Sequence, residues 1–324
     1  MKESLNQKVV SAIYESLPEK ERIIPFLCDL LDLSRESAYR RVRNSIPFTF
    51  EEVAAISIKL GISADDIIGQ HNNKRAFFDL YLNGTSDPIE SYGKLLQNMA
   101  DISQKLRKAN ESEMIASSSR IPFAFSMQYE NIRKFRYFKW IHQTHEVPIN
   151  FYLSDLTFPS QLETLYKNYM YNYMRVNNIK FILDKNTFLP TTEEVLYYHK
   201  RKLINDNEFL AIQKELLLVV DGIEQLLQTG VNEAGSNIYI YLSALPIESN
   251  CAYLEYDGTT CARYWSYTFN PIVVFNKEAC TLQKKWLESL LKYSTLITKS
   301  NEYLQAEFLN AQRKFITDMT ESEV

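Results

Sequence analysis

The sequence predicts an α+β fold that is mostly α: an N-terminal unit of five short helices, then a large helical domain with a small antiparallel β segment. Three observations carry that expectation. Residues 1–70 alternate helix-start residues with apolar runs of helical period. Beyond Ile89 the same period recurs in longer stretches. Between 236 and 276 it gives way to runs rich in β-branched and aromatic residues.

In the first unit, "LNQKVVSAIYESL" (5–17) places Val9, Ala12, Ile13 and Leu17 at helical spacing. Pro18 stands at a helix-start position. "PEKERIIPFLCDLL" follows it with early acids, then Ile23, Ile24, Leu27 and Leu31. Ser34 caps a third helix over 35–43, which "SIPF" breaks. Thr49 caps a fourth, with Glu52 completing a capping box, and Gly61 ends it. Ser63 caps a short fifth helix through Ile68. The polar "GQHNNK" (69–74) reads as a linker, which sets domains at 1–72 and 73–324.

In the second domain, "NGTSDP" (83–88) is a turn, and Asp87 caps a helix over Ile89–Lys108. "SSSRIPF" (117–123) interrupts the helical pattern, which resumes at 127–142, 160–176, 192–203 and 206–229. "NIYIYLSAL", "CAYLEYDGTTCARYWSYTF" and "IVVF" then read as strands, with Asp257-Gly258 as a hairpin turn. Helices near 279–297 and 301–317 end the chain.

Composition narrows the function classes. The net charge of −4 on 324 residues argues against polyanion binding by bulk charge, so any nucleic-acid contact must come from a local patch. The 8 glycines are few for phosphate-cradling loops, and no P-loop, GxGxxG, GxSxG or HExxH is present. No catalytic residue, metal or cofactor is expected, and the chain is not expected to be an enzyme. Cys28, Cys251, Cys261 and Cys280 form no CxxC pair. No signal-like or membrane-spanning stretch stands out, so a cytoplasmic protein with reduced thiols and no membrane contact is expected.

The most informative stretch is "RESAYRRVR" (35–43), with four arginines in nine residues. Ala38 and Val42 are i, i+4 neighbours and make the inward pair. Glu36, Arg40 and Arg43 then fall on the opposite face, with Ser37 beside them and Arg35 and Arg41 on the flanks. With Ser34 and Tyr39 these make a candidate DNA-contact set: Ser34, Arg35, Glu36, Ser37, Tyr39, Arg40, Arg41 and Arg43. The bland alternative is a solvated helix face. Residues 1–70 hold nine Lys and Arg against eleven Asp and Glu, yet 34–43 holds four against one. The domain's charge is therefore polarised along its sequence.

"FLCDLLDLSRESAYRRVR" resembles the helix-turn-helix of the Cro-like phage-repressor (XRE) family. The small residue of the first helix falls on Cys28, the turn hydrophobe on Leu33 and the opening serine on Ser34; Asp32 replaces the turn glycine. "FTFEEVAAISIKLGISADDII" resembles the two helices that close such a domain. The resemblance covers residues 20 to 69. It implies a transcription regulator that binds double-stranded DNA with a recognition helix over 34–44 in the major groove. A homodimer is expected, because one short helix reads only a few base pairs. The alternative is a protein-interaction adaptor on the same fold. "SSRIPFAF…FKW" (118–140) and "KYSTLITKSNEYLQAEFLNAQRKF" (292–315) resemble stretches of bacterial regulators with a large C-terminal domain.

Four other features of the sequence have both a functional and a plainer reading. "YENIRKFRYFKWIHQTHE" (129–146) interleaves bases with aromatics, as a single-strand stacking surface would. Its apolar residues spread round the helical wheel, which favours a core helix. His142, His145 and Glu146 are a weak metal triplet. Cys251 and Cys261 flank the hairpin as a candidate redox pair, against the plainer reading of small core residues. Finally, a pocket for a small-molecule or peptide effector is expected between the β segment and helix 127–142, where Tyr, Phe and Trp are densest; a solid core is the alternative.

Overall fold

The computed structural model describes residues 4–17, 23–60, 64, 78–80, 87–266 and 270–321. The chain divides into two compact units, Met1–Phe77 and Phe78–Val324.

The first unit contains α1 (Leu5–Ser16), α2 (Ile23–Leu31), α3 (Arg35–Val42) and α4 (Phe50–Leu60). The expected fifth helix over 63–68 lies, apart from Ala64, outside the described residues, as does the linker at 69–74. Ser4 and Gln7 form a capping box at α1, and Ser34 caps α3 through the Ser37 N–H. Val9, Ile13, Ile23, Leu27, Ala38 and Ile56 form a core that brings the inner faces of all four helices together. Burying one such aliphatic chain contributes about 1.5–3 kcal/mol, which holds helices too short to persist alone.

The second unit is built on an eight-stranded sheet, ordered β1-β7-β6-β5-β2-β3-β4-β8. Its strands are β1 (Asp79–Leu80), β2 (Ser112–Ser118), β3 (Asn178–Leu183), β4 (Asn237–Ser243), β5 (Cys251–Tyr256), β6 (Thr259–Ser266), β7 (Asn270–Val274) and β8 (Ser294–Leu296). β2–β3 and β3–β4 pair in parallel; the other neighbours are antiparallel. This corrects the expected small antiparallel β segment. The segment 236–276 is only one part of a mixed sheet whose parallel centre depends on β2 and β3. Sequence reasoning assigned neither strand. Ser112, Glu113, Ser117 and Ser118 mask β2 with polar residues, and "NIKFIL" is a six-residue run between two long helices.

Parallel neighbours require crossovers, and helices supply them. α6 (Phe123–Ser126), α7 (Glu130–Thr144), a 3-10 turn (Leu153–Asp155) and α8 (Ser160–Tyr173) connect β2 to β3. α9 (Leu189–Lys200) and α10 (Asp206–Thr229) connect β3 to β4. α5 (Pro88–Lys108), capped by Asp87, precedes β2 and packs along α8. α11 (Lys277–Lys292) lies against the sheet on the face that carries Cys251 and Tyr253, where Gln283 and Lys284 reach Cys251 and Glu255. α12 (Glu302–Glu321) packs on α9 and α10.

The basic-aromatic stretch forms α7 and is core, with Ile132, Phe135, Tyr137, Phe138, Trp140 and Ile141 all buried. Burial of these rings leaves no stacking surface for bases. The metal triplet also disperses: His142 Nε2 meets the Phe151 carbonyl at 3.3 Å and His145 Nδ1 meets Thr144 Oγ1 at 2.8 Å. Among the described residues no group of three His, Cys, Asp or Glu is placed to hold a metal. The hairpin turns at Asp257 (φ 43°) and Gly258 (φ 80°), the left-handed pair of a type I′ turn. Its register pairs Cys251 with Tyr264 and Cys261 with Leu254, so the two thiols sit on opposite faces of the sheet. The redox-pair reading fails on that parity, and all four cysteines are free. No described helix is long and apolar enough to cross a membrane.

Candidate nucleic-acid interface

The turn between α2 and α3 depends on one left-handed residue. Asp32 takes φ 52°, and the Leu33 N–H reaches back to the Cys28 carbonyl at 3.3 Å. Aspartate tolerates this region better than most side chains, so the turn forms without glycine. Ser34 then caps α3: its hydroxyl accepts from the Ser37 N–H at 3.2 Å and donates to Ser37 Oγ at 3.0 Å. At the far end Asn44 is left-handed (φ 59°). The Asn44 and Ser45 N–H groups close on the carbonyls of Arg41 and Arg40 at 3.0 and 2.8 Å. This is a Schellman closure.

The sequence-predicted set separates into two groups. Ala38 is fully buried, fixing which way the helix faces. Arg35, Glu36 and Arg40 point outward, exposed, with no side-chain hydrogen bond or ion pair among the described residues. Tyr39 is exposed, and the Arg43 guanidinium lies over its ring at 4.6 Å. Stacking of that kind holds an arginine extended while leaving its donors open.

Arg41 is placed differently. Its Nε and Nη2 donate to the two carboxylate oxygens of Glu52 at 2.9 and 2.7 Å, and Nη1 reaches the Ser37 carbonyl at 3.3 Å. The pair is largely covered, with side chains 13% and 15% exposed. Expected on the flank as a contact, Arg41 instead clamps α3 to α4. Glu52 also accepts from the Thr49 N–H at 2.9 Å, completing the expected capping box. Burial alone would raise the Glu52 carboxyl, but its hydrogen bonds to Arg41 and the Thr49 N–H outweigh that and hold it below the usual carboxylate range.

One residue that sequence reasoning missed organises the far end. Asn6, on α1, donates to the Arg41 carbonyl at 3.1 Å and to Asn44 Oδ1 at 2.5 Å, and accepts from the Phe48 N–H at 2.8 Å. It ties the exit of α3 to α1. Nothing in a single asparagine 35 positions upstream signals that role.

Residues 15–119 match the model of the BetR domain, which is itself helix-turn-helix-like. This corrects the resemblance to the Cro-like repressors: the matching family is a different one, and its span runs beyond residue 69 through α5 and β2. No curated protein and no solved structure matches the chain. The matched span, about a third of the chain, suggests a DNA-binding regulatory domain, and α2 and α3 lie within it.

Proposed function

We propose that the chain is a sequence-specific DNA-binding transcription regulator and not an enzyme, with α3 entering the major groove as part of a homodimer. The supporting observation is the division of labour on α3. Ala38 and Arg41 are committed inward, whereas Arg35, Glu36, Arg40 and the stacked Arg43 face outward with open donors and acceptors. Arginine in that position donates to guanine O6 and N7 or to phosphate, and glutamate accepts from cytosine N4. Ser34 and Ser37, at the helix start, suit phosphate or base contacts beside them. One eight-residue helix covers only a few base pairs, so two copies reading half-sites roughly 34 Å apart supply the specificity. We assign the pairing of copies to the larger unit.

The test is selection of genomic fragments by the full-length protein, followed by anisotropy titrations across salt concentrations. A recovered two-fold site with affinity falling steeply as salt rises is the expected result. Equal retention of all fragments, or none, overturns the reading and leaves the adaptor alternative.

A further inference from the structure

The larger unit contains a cavity of about 490 Å³ between the sheet and α7, where the sequence placed an effector pocket. Its size falls within the range of ordinary ligand sites, roughly 300–1,000 Å³. Met114 and Ala116 on β2, Phe181 on β3 and Trp265 on β6 line one side. Phe123 and Phe135 line another. These are flat, apolar walls.

The charged lining is unequal. Arg120, Arg136 and Lys139 face one carboxylate, Glu194. That carboxylate is already taken, accepting from Arg120 Nη1 at 2.6 Å and from Lys139 Nζ at 2.7 Å. Arg136 is left over. Its Nη2 donates to the Ile121 carbonyl at 3.1 Å, while its Nε is buried without a partner. Burial disfavours its charge; Tyr92, Tyr166 and, without a hydrogen bond, Glu194 offset only part of that, and Arg120 adds to it. Tyr173 lines the same cavity, and its hydroxyl is buried without a hydrogen-bond partner. Unfilled donors on a buried guanidinium are uncommon, because each costs free energy until something accepts from it. Two such donors beside aromatic walls describe a ligand: an acceptor headgroup with negative charge, on an apolar body.

We propose that this cavity binds a small organic acid, its carboxylate seated on Arg136 and Tyr173 and its apolar, preferably aromatic, body against Phe123, Phe135, Phe181 and Trp265. Arg120, half-exposed, stands at the rim with Glu194 and Lys139 behind it. The inference concerns the larger unit alone, so it stands or falls independently of DNA binding.

The experiment is calorimetric titration of the full-length protein, without DNA, with 2-naphthoate and 3-phenylpropanoate and with their neutral amides. Saturable binding of one acid per chain is expected, with the matching amide at least tenfold weaker. Arg136→Gln should abolish the preference for acid over amide, and Arg120→Gln should weaken binding less. Tyr173→Phe guards against a misfolded Arg136 variant: it should weaken acid binding several-fold while raising the melting temperature of the unliganded protein, because it removes an orphaned hydroxyl. Absence of binding by both acids, equal binding of acid and amide, or an Arg136→Gln protein that keeps its preference overturns the proposal.

Discussion

The Arg41–Glu52 clamp makes a prediction that separates architecture from recognition. Arg41→Ala removes two charge-assisted hydrogen bonds, at 2.9 and 2.7 Å, from a pair only 13% and 15% exposed. Hydrogen bonds to charged groups contribute about 1.5–3 kcal/mol, and partial solvent access puts the loss at the lower end, about 2 kcal/mol. Glu52→Ala loses the same pair and also the capping box with Thr49, which adds about 1 kcal/mol. Glu52→Gln keeps the box and loses the ion pair, so it should resemble Arg41→Ala. The double alanine variant should cost no more than Glu52→Ala alone, giving a coupling of about 2 kcal/mol. Hydrogen exchange of the intact protein, followed in peptides from α3 and α4 with sheet peptides as internal reference, reads these differences as lowered opening free energies. The contribution also has a pH signature. The folded Glu52 value is depressed, so the stabilisation is present above the ordinary carboxylate value and is lost as pH falls through the folded one. If Arg41→Ala leaves α3 exchange unchanged but flattens the salt dependence of DNA binding, Arg41 faces phosphate and the clamp is wrong.

Arg40→Ala and Arg43→Ala should each weaken binding to the selected site by about 1–3 kcal/mol without altering exchange in α3, as anisotropy on the full-length variants would show. Light scattering should give twice the monomer mass, free or on the site; a monomer in both states would remove the dimer from the model. Asp32→Gly should stabilise the first unit by about 0.5–1 kcal/mol by relieving the left-handed aspartate, read as slower exchange in α2 and α3. Burial pushes the Lys139 ammonium down to about 8, with Glu194 offsetting part of that and Arg136 and Arg120 adding to it. Above that pH the unfolded chain holds a proton the folded chain has released, so this group makes stability rise by about 1–2 kcal/mol between pH 8 and 9.5. Lys139→Met should flatten the rise in urea midpoints; an unchanged slope would refute it. Phe138→Ala, emptying a fully buried site, should cost about 3–5 kcal/mol in the same unfolding assay.

The helical parts were legible because their signals are local. Ser34, Thr49 and Asp87 announce helix starts through side chains that bond to N–H groups two or three residues on, and all three do so here. The Asp257-Gly258 turn was legible for the same reason. The sheet was not, because its centre is defined by pairings between distant segments. Ile115 meets Lys180 on one side and Tyr253 on the other, and no local pattern encodes either partner. In the candidate interface the outward face of α3 followed from helical geometry once Ala38 was set inward. The fate of Arg41 did not, since it depends on where α4 brings Glu52.

The position of β2 also shapes how this protein must be made. β2 ends at Ser118, its parallel neighbour begins at Asn178, and its antiparallel neighbour begins only at Cys251. At ribosomal speeds of ~5–20 residues per second, the 133 positions from Ser118 to Cys251 take roughly 7–27 s to synthesise. Throughout that interval the nascent strand has an open edge, and burial of Ile115 and Ala116 awaits sequence not yet translated. Ribosome-associated chaperones are therefore expected to engage the growing chain in this window, and slowing translation between codons 118 and 251 should lower the soluble yield more than the same delay after codon 274.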